Sequence, residues 1–388
     1  MTTIQDVARL AGVSPVTVSR VINGASNVNA ATRARVEEVI REVGYAPNMS
    51  ARSLRSRQTF TLALIVPDIT NAFWTTIARG VEDAAQNEGY SVLLCNSDED
   101  LVKQSGYIEA VYRQRVDGVA VAPFAHDPSH LARLKEQNIP TVLLDRWVAN
   151  WDGDSVRADS LAGAYALTNH LLSLGYRRIA VLSGPVNSST GEERIAGYAL
   201  ALDQAGIAID PGLLLRGGYS VRSGLALASQ LLGKGAPPQA ILAANNQLAV
   251  GVLDVLRQKG LRMPMDIALV CFDDLPDLSH FYPFLTLAAQ PAYEMGMNAG
   301  QLLVSRIRAC AALPARHLLL PVDLKLRYSC GRFKEQFMGS LLDAGIMDRS
   351  ETVPVPPLSP RELARLDCLL PTLDISTEIV RGWGERCS

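Results

Sequence analysis

The sequence predicts a small all-α head and a hinge helix, followed by a two-lobed α/β body with doubly wound parallel sheets. The first 57 residues contain short amphipathic helices with recognisable cap residues. From Thr61 onward, apolar strands alternate with amphipathic helices, which is typical of parallel sheets covered on both faces. These strands fall into two series of similar size, and a chain of 388 residues is long enough to bury two such lobes.

Two short helices joined by a tight turn are predicted within residues 3–23. Thr3 can cap the first helix, with Asp6 as its capping-box partner three positions later. Gly12 lies where a left-handed residue is favoured after that helix. We expect an apolar stripe formed by Val7, Ala8, Leu10 and Ala11.

The second helix begins after Ser14, a favourable cap, with Pro15 in its first turn. Its buried side is expected to consist of Val18, Val21 and Ile22. Its exposed side is expected to consist of Pro15, Val16, Thr17, Ser19 and Arg20. A short helix with small hydroxyls and one arginine on its free face suits the major groove of DNA. The predicted motif is therefore a helix-turn-helix.

A third helix is expected from the cap Asn29 to Gly44, and a short helix from about 48 to 57 follows it. Ten residues form a marginal helix in water, so this segment needs a partner in order to fold. The predicted domains are a helix-turn-helix domain (1–46), a hinge helix and linker (47–59), a two-lobed body (60–331) and a C-terminal extension (332–388).

The body is divided by the positions of its apolar runs. Strands are predicted at 61–67, 90–96, 117–123, 140–145, 177–184, 239–246 and 266–274, with residues 285–291 crossing back to the first lobe. Helices are expected around 73–88, 159–174, 192–205 and 247–259. Ligands in such folds bind beyond the carboxyl ends of the strands. The polar residues at those ends are Asp68, Asn96, Asp145–Arg146, Asn245–Asn246 and Asp273–Asp274, for each of which helix capping is the alternative role.

Charge is distributed unevenly along the chain. The net charge is −2, but residues 1–57 carry eight arginines and four acidic residues, so the head is +4 and the remainder −6. A basic head on an acidic body is typical of nucleic-acid binding. Basic heads also occur on proteins that bind membranes or acidic partners, so charge alone does not decide between these classes.

Several classes of site are not expected. The six cysteines include no C-x-x-C pair and the five histidines are isolated, so we expect neither a disulfide framework, nor a metal site, nor a cofactor. The sequence contains no G-x-S-x-G elbow, phosphate-binding loop or H-E-x-x-H motif, which argues against an enzyme. No apolar run is long enough to span a bilayer and no secretory signal is recognised, so we expect a cytoplasmic protein.

The extension differs in composition from the body. Residues 353–366 contain a proline cluster, followed by Ser359–Pro360 and Glu362, which predict a helix start. No leucine heptad indicates a coiled coil. We expect a loosely docked appendage of unknown role.

Three stretches of the chain resemble the lactose-repressor (LacI/GalR) family of bacterial transcription regulators. The resemblance rests on DVARLAGVSPVTVSRVING near the N-terminus, on YAPNMSARSLRS, and on the body down to LKLRYSCG at 324–331. It covers about 330 residues and implies a periplasmic-binding-protein-like body. It also implies a homodimer or tetramer that binds a palindromic operator in double-stranded DNA, with no membrane partner.

The resemblance implies roles for residues of the head and hinge. Pro15, Val16 and Arg20 match positions that contact base edges, and Arg20 can donate two hydrogen bonds to guanine. Thr17, Ser19 and Asn23 match phosphate-contacting positions. Leu54 matches a hinge leucine that wedges into the minor groove, flanked by Arg52 and Arg55, which can neutralise phosphates.

The resemblance also implies an effector site. The residues that match ligand-binding positions are Asn71, Phe73, Trp74, Asp145, Arg146, Arg194, Tyr219, Asn245 and Asp273. An arginine and carboxylates beside aromatic faces suit a sugar or polyol. The purine-responsive branch has an arginine at the position of Ser188, which argues against a nucleobase. The family usually has Asp at the position of Asn246.

These observations predict a sequence-specific transcription regulator, a repressor controlled by a small metabolite. The alternative is a solute-binding receptor, because the two-lobed body alone resembles periplasmic sugar-binding proteins. The basic helical head favours the regulator.

Overall fold

A computed structural model describes residues 2–22, 24–25, 27–45, 58–186, 188–233, 235–275, 284–309, 313–332, 351–373 and 375. The chain divides into two compact units, Met1–Thr59 and Phe60–Ser388. Asn23 and the hinge residues Arg52, Leu54 and Arg55 lie outside the described residues.

The head contains the three expected helices, α1 (Ile4–Ala11), α2 (Pro15–Ile22) and α3 (Ala30–Glu42). Thr3 and Asp6 form the capping box at the start of α1, and Gly12 ends this helix with a φ of 62°. The Ser14 hydroxyl accepts a hydrogen bond from the backbone N–H of Thr17 at 3.2 Å, and the Asn29 side chain caps α3. Local cap chemistry therefore determines where the head helices begin and end.

The head core consists of seven buried residues, Val7, Ala8, Ala11, Val18, Val21, Val36 and Val39. Leu10 was expected in this core, but it is 55% exposed because it lies on the opposite side of α1. The full exposure expected of Thr17 and Ser19 was also wrong, since both are half-buried. Pro15, Val16 and Arg20 are exposed, as expected.

The body contains thirteen strands within the described residues. They are β1 (Thr61–Val66), β2 (Ser91–Asn96), β3 (Gly118–Val121), β4 (Thr141–Leu144), β5 (Asp154–Ala158), β6 (Ile179–Ser183), β7 (Leu214–Arg216), β8 (Ala240–Ala243), β9 (Ala268–Phe272), β10 (Thr286–Ala289), β11 (His317–Leu320), β12 (Asp323–Leu326) and β13 (Glu351–Pro354).

Nine α-helices accompany these strands in the same described ranges. They are α4 (Ala72–Asn87), α5 (Leu101–Arg113), α6 (Ala132–Glu136), α7 (Ser160–Ser173), α8 (Ser189–Gln204), α9 (Val221–Leu231), α10 (Asn246–Gln258), α11 (Ala292–Arg308) and α12 (Pro360–Leu369).

The strands form two sheets, which confirms the two-lobed α/β body. The first sheet has the order β11-β5-β4-β3-β1-β2 and is parallel throughout. The second has the order β13-β12-β10-β9-β8-β6-β7, in which β12 pairs antiparallel with both β10 and β13. We call the part built on the first sheet lobe 1 (60–158 and 292–320) and the part built on the second lobe 2 (159–290 and 321–375).

The described chain passes between the lobes at three places, after β5, after β10 and after β11. Residues 285–291 were expected to cross back to lobe 1, but β10 pairs with β9 in lobe 2. The crossing is made instead by α11, which packs on β3, β4 and β5. It lies so close to α4 that a side chain at Gly296 would meet the carbonyl oxygen of Ile77 at 2.1 Å.

Strand β5 was not predicted, because its sequence DSVRA lacks an apolar run although all five residues are buried. The Asp154 carboxylate accepts hydrogen bonds of 2.7 and 2.6 Å from the Arg306 guanidinium, and another of 2.7 Å from the backbone N–H of Arg316. These partners lie far away in the sequence, and they satisfy a charge that burial alone would disfavour.

The expectation of a loosely docked extension was wrong for its described part. Strand β13 adds to the edge of the lobe 2 sheet beside β12, and α12 packs against α8. Leu366 and Leu370 are fully buried, and Glu362 accepts a 2.6 Å hydrogen bond from the Tyr165 hydroxyl. This part of the extension therefore belongs to the core of lobe 2.

Membrane-spanning helices and metal-ligand clusters are both absent from the described residues. None of their helices combines the length and the apolar character needed to cross a membrane. None of their His, Cys, Asp and Glu side chains form a group of three or more that could hold a metal ion.

Candidate functional site

The exposed face of α2 is the candidate nucleic-acid surface of the head. Val16 is 59% exposed, and Pro15 and Arg20 are exposed on the same short helix. The Thr17 hydroxyl lies 2.9 Å from that of Ser14, so it takes part in the turn as well as facing outward. This arrangement presents one guanidinium and a small apolar surface to a partner.

The second candidate site is a cleft of about 470 Å³ between the lobes, at the carboxyl ends of the parallel strands. Its volume is that of a site for a small molecule. All nine residues predicted to bind an effector line this cleft: Asn71, Phe73, Trp74, Asp145, Arg146, Arg194, Tyr219, Asn245 and Asp273.

Two aspartates lie at equivalent positions in the two lobes. Asp145 follows β4 and Asp273 follows β9, and both have left-handed backbones, with φ of 65° and 64°. Each donates its backbone N–H to a neighbouring strand, Asp145 to Val156 and Asp273 to Ala288. Neither side chain caps a helix among the described residues, and both residues line the cleft. The capping alternative therefore does not apply to these two residues.

Burial disfavours the charged form of both carboxyl groups. It raises the pKa of Asp145, and it raises the pKa of Asp273 to about 6. The Gln290 amide donates a 2.9 Å hydrogen bond to Asp273 Oδ1. Asp145 Oδ1 is buried and has no hydrogen-bond partner among the described residues. It is therefore an acceptor available to a ligand hydroxyl.

Arg194, on the first half of α8, is fixed from three sides. Its guanidinium lies 4.0 Å from the centre of the Phe272 ring, a favourable cation–π geometry. Its Nε donates to the Ser160 hydroxyl at 3.3 Å, and Nη1 donates to the Ala244 carbonyl. This leaves Nη2 to contact a ligand.

Aromatic side chains cover both sides of the cleft. On lobe 1, Phe73 and Trp74 form an edge-to-face pair with ring centres 4.9 Å apart. On lobe 2, Tyr219 packs flat on Gly184, where any side chain would meet its ring at 2.1 Å. Its hydroxyl lies 3.2 Å from that of Ser188, a residue that also caps α8. Such faces suit the apolar sides of a sugar ring.

Two asparagines of the predicted site do cap helices. Asn71 caps α4 through Phe73 N–H, and Asn245 caps α10 through Leu248 N–H at 2.9 Å. The Asn245 amide also donates to the Tyr219 carbonyl at 3.2 Å. The structure thus places both residues at the cleft in positioning contacts.

Asn71 and Asn246 join the two lobes, and we call this pair the interlobe clasp. Each amide nitrogen donates to the other's amide oxygen, at 3.1 and 3.0 Å. Asn246 is 1% exposed and also donates to the Asp274 carbonyl at 3.0 Å. Sequence reasoning noted the departure at Asn246 but did not identify this contact.

A buried ion pair lies between the lobes as well. Arg157 on β5 donates to Glu193 on α8 at 2.7 Å, and the two side chains are 4% and 1% exposed. Burial raises the pKa of the Glu193 carboxyl, although the Arg157 guanidinium opposes this. Polar contacts between the lobes are therefore not confined to the residues that line the cleft.

Sequence reasoning missed Glu99, which also lines the cleft. Its carboxylate pairs with both terminal nitrogens of Arg146. Burial alone would lower the pKa of the Arg146 guanidinium, but Glu99 raises it above its usual value. The available signal was the acidic run Asp98–Asp100, directly after β2.

Comparisons with known proteins agree with this architecture. A family model described as "Bacterial regulatory proteins, lacI family" matches residues 3–48. A second, described as "Periplasmic binding proteins and sugar binding domain of LacI family", matches residues 59–327. The two models match the head and most of the body separately.

Individual relatives match over most of the chain. The ribose operon repressor of Escherichia coli (strain K12) is 38% identical over 325 residues, which are 83% of this chain and 98% of that protein. The lac repressor dimer bound to operator and the anti-inducer ONPF has a TM-score of 0.74 at 29% identity, over 85% of this chain and 99% of that one. A LacI family regulator from Enterococcus faecium with bound ribose has a TM-score of 0.62 at 30% identity, over 69% and 98%. The family expected from the residues is confirmed, and the chain belongs to the LacI family of bacterial regulatory proteins.

Proposed function

We propose that this protein is a sequence-specific transcription repressor whose DNA binding is controlled by a sugar or sugar derivative. The observation that supports this most is the presence of two sites in one chain. The head exposes Arg20 on a short helix, and the body encloses a cleft lined by carboxylates, Arg194 and aromatic rings. A solute-binding receptor would have no use for the first site.

In this proposal the head reads DNA in the major groove. Arg20 hydrogen-bonds a base edge, and Pro15 and Val16 make apolar contacts. Thr17, Ser19 and Asn23 contact phosphates, which position the helix without reading sequence. Leu54 wedges into the minor groove, and Arg52 and Arg55 lie beside the backbone. A homodimer or tetramer, acting in the cytoplasm without catalytic activity, covers both halves of a palindromic operator.

The effector acts through the body. Asp145 on lobe 1 and Asp273 on lobe 2 accept hydrogen bonds from ligand hydroxyls, so a sugar favours the closed cleft. Coupling between such sites is typically about 1–3 kcal/mol, which changes DNA affinity by about fivefold to 150-fold. This range is sufficient for regulation.

The test begins with selection of operator DNA from a random duplex library by the full-length chain. Fluorescence anisotropy then measures affinity for the selected duplex and for a scrambled one, with and without D-ribose, D-glucose and D-galactose. Specific enrichment and a sugar-dependent change in affinity are expected. Arg20→Ala should reduce the ratio of specific to scrambled affinity by about tenfold or more, since one good base contact contributes about 1–3 kcal/mol. Failure to enrich any sequence would refute the proposal.

A further inference from the structure

The loop between β2 and α5 has an unusual backbone at the mouth of the cleft. Asp98 and Glu99 are consecutive left-handed residues, with φ of 54° and 53°, and neither is glycine. Such a conformation costs about 1 kcal/mol or more per residue for ordinary side chains. Contacts with their side chains must therefore hold this loop in place.

The two side chains have different partners. Asp98 pairs with Lys103 on α5, at the protein surface. Glu99 extends in the other direction and pairs with Arg146, which follows β4 and is only 4% exposed. The loop thus brings the Glu99 carboxylate to Arg146 and the Asp98 carboxylate to Lys103.

Glu99 occupies the guanidinium of Arg146. Its two carboxylate oxygens accept from Nη1 at 2.8 Å and from Nη2, in the parallel two-bond geometry typical of Arg–carboxylate pairs. The Pro123 carbonyl accepts a further bond from Nη1 at 3.2 Å. A carboxylate or phosphate on a ligand would need these same donors. The two terminal nitrogens of Arg146 are therefore not available to an anionic ligand while Glu99 is in place, and its Nε lies 3.8 Å from a carboxylate oxygen of Asp145.

The charges of the cleft also disfavour an anionic ligand. Among the described residues, five acidic side chains line it against the two arginines Arg146 and Arg194; they are Asp68, Asp98, Glu99, Asp145 and Asp273. Arg194 already donates to Ser160 and Ala244. An anionic ligand would meet more carboxyl groups than guanidinium groups in a partly dehydrated site, where like charges repel strongly. An uncharged polyhydroxy compound would find acceptors for its hydroxyl groups.

We infer that Glu99 is a specificity-determining residue, which restricts the cleft to uncharged sugars and excludes their phosphorylated and acidic forms. This inference rests on the proposed function, because it presumes that the effector is a sugar. Glu99 then acts as an internal counter-ion that accepts hydrogen bonds from both terminal nitrogens of Arg146. Removing the carboxylate frees the guanidinium for the anion of a ligand.

The experiment measures calorimetric affinities of the full-length chain for three matched pairs of compounds. They are D-ribose and D-ribose 5-phosphate, D-glucose and D-glucose 6-phosphate, and D-galactose and D-galacturonate. For the pair that binds, the wild-type protein is expected to prefer the neutral member by about tenfold or more. Glu99→Gln should reduce this preference by about tenfold or more, since about 1.4 kcal/mol corresponds to tenfold.

Two further variants complete the test. Glu99→Gly removes the carboxylate and also relieves the left-handed backbone, so it keeps the test valid if the glutamine variant folds poorly. Asp98→Asn removes the same charge from the same loop without touching Arg146, and it should change the preference by no more than about threefold. Its smaller effect separates contact with Arg146 from net charge.

The outcomes distinguish a failure of the role of Glu99 from a failure of the proposed function. If neither Glu99→Gln nor Glu99→Gly changes the preference, or if Asp98→Asn changes it equally, the role of Glu99 is refuted while the sugar-controlled repressor stands. If the wild-type protein binds phosphorylated or acidic members as well as neutral ones, the inference is also refuted. If no member of any pair binds, the proposed class of effector fails, and the inference fails with it.

Discussion

Replacement of Asn246 by alanine should weaken effector binding by opening the cleft. Asn246 makes three hydrogen bonds of 3.0–3.1 Å, two with Asn71 across the lobes and one with the Asp274 carbonyl within lobe 2. A hydrogen bond contributes about 0.5–1.5 kcal/mol net. The two interlobe bonds exist in the closed cleft, so their loss should disfavour closure by about 2 kcal/mol. The third bond affects the open and closed forms equally.

This magnitude converts directly into affinity. If the effector binds the closed form, about 2 kcal/mol corresponds to a loss of about 30-fold in apparent affinity. Calorimetric titration with the neutral sugar that binds the wild-type protein most tightly measures this loss. Small-angle X-ray scattering without sugar should show a larger radius of gyration for Asn246→Ala than for the wild type.

A matched control is available within lobe 1. Gln104 is also a fully buried amide, which donates to the Ala122 carbonyl at 2.9 Å and accepts from Phe124 N–H at 3.1 Å. Gln104→Ala should lower the melting temperature but change sugar affinity by less than about threefold, because its bonds do not cross the cleft. Equal sugar affinities in Asn246→Ala and the wild-type protein would refute the role of the clasp.

Three other predictions concern the extension, the interior of lobe 2 and the hinge. Leu366→Ala should lower the free energy of unfolding by about 2–5 kcal/mol, as is usual for a fully buried leucine, whereas replacement of the exposed Arg361 by alanine should not. Equal urea midpoints for Leu366→Ala and the wild-type protein would contradict the docking of α12. Burial raises the pKa of Asp159 to about 7. The folded protein therefore keeps a proton that the unfolded chain releases near pH 4, and the free energy of unfolding should fall as pH rises from about 4 to 7. Asp159→Asn should flatten this dependence in urea titrations by up to about 1.4 kcal/mol per pH unit, and identical slopes would exclude Asp159 as the cause. Leu54→Ala should reduce operator affinity and bending while calorimetric sugar binding persists; unchanged bending in a circular-permutation gel assay would exclude the wedge.

Much of the fold was predictable because it depends on local chemistry. The capping box of Thr3 and Asp6, the turn at Gly12 and the apolar strands are specified by residues within a few positions of one another. All nine predicted effector residues line one cleft, since the carboxyl ends of parallel strands meet at the same edge.

The parts that were missed depend on contacts between distant residues. Strand β5 is buried, and the charge of its Asp154 is satisfied by Arg306 and Arg316. Strand β13 pairs with β12 although residues 327–350 separate them in the sequence, and composition alone suggested a loose tail. Glu99 reaches Arg146 only because the intervening loop is left-handed at two consecutive residues. The acidic run Asp98–Asp100 was a local signal for a site, but it did not identify Arg146 as the partner.

The three passages of the chain between the lobes restrict how the body can move. Because the described chain passes between the lobes after β5, β10 and β11, we expect these three connections to bend together and to restrict sliding or twisting of the lobes. Any ligand that closes the cleft then drives the same displacement, whatever its identity. In the proposed function, recognition depends on side chains such as Glu99 and Asp145, and transmission depends on the backbone connections. Evolution or engineering could therefore exchange the molecule that is sensed without rebuilding the mechanism that reports it.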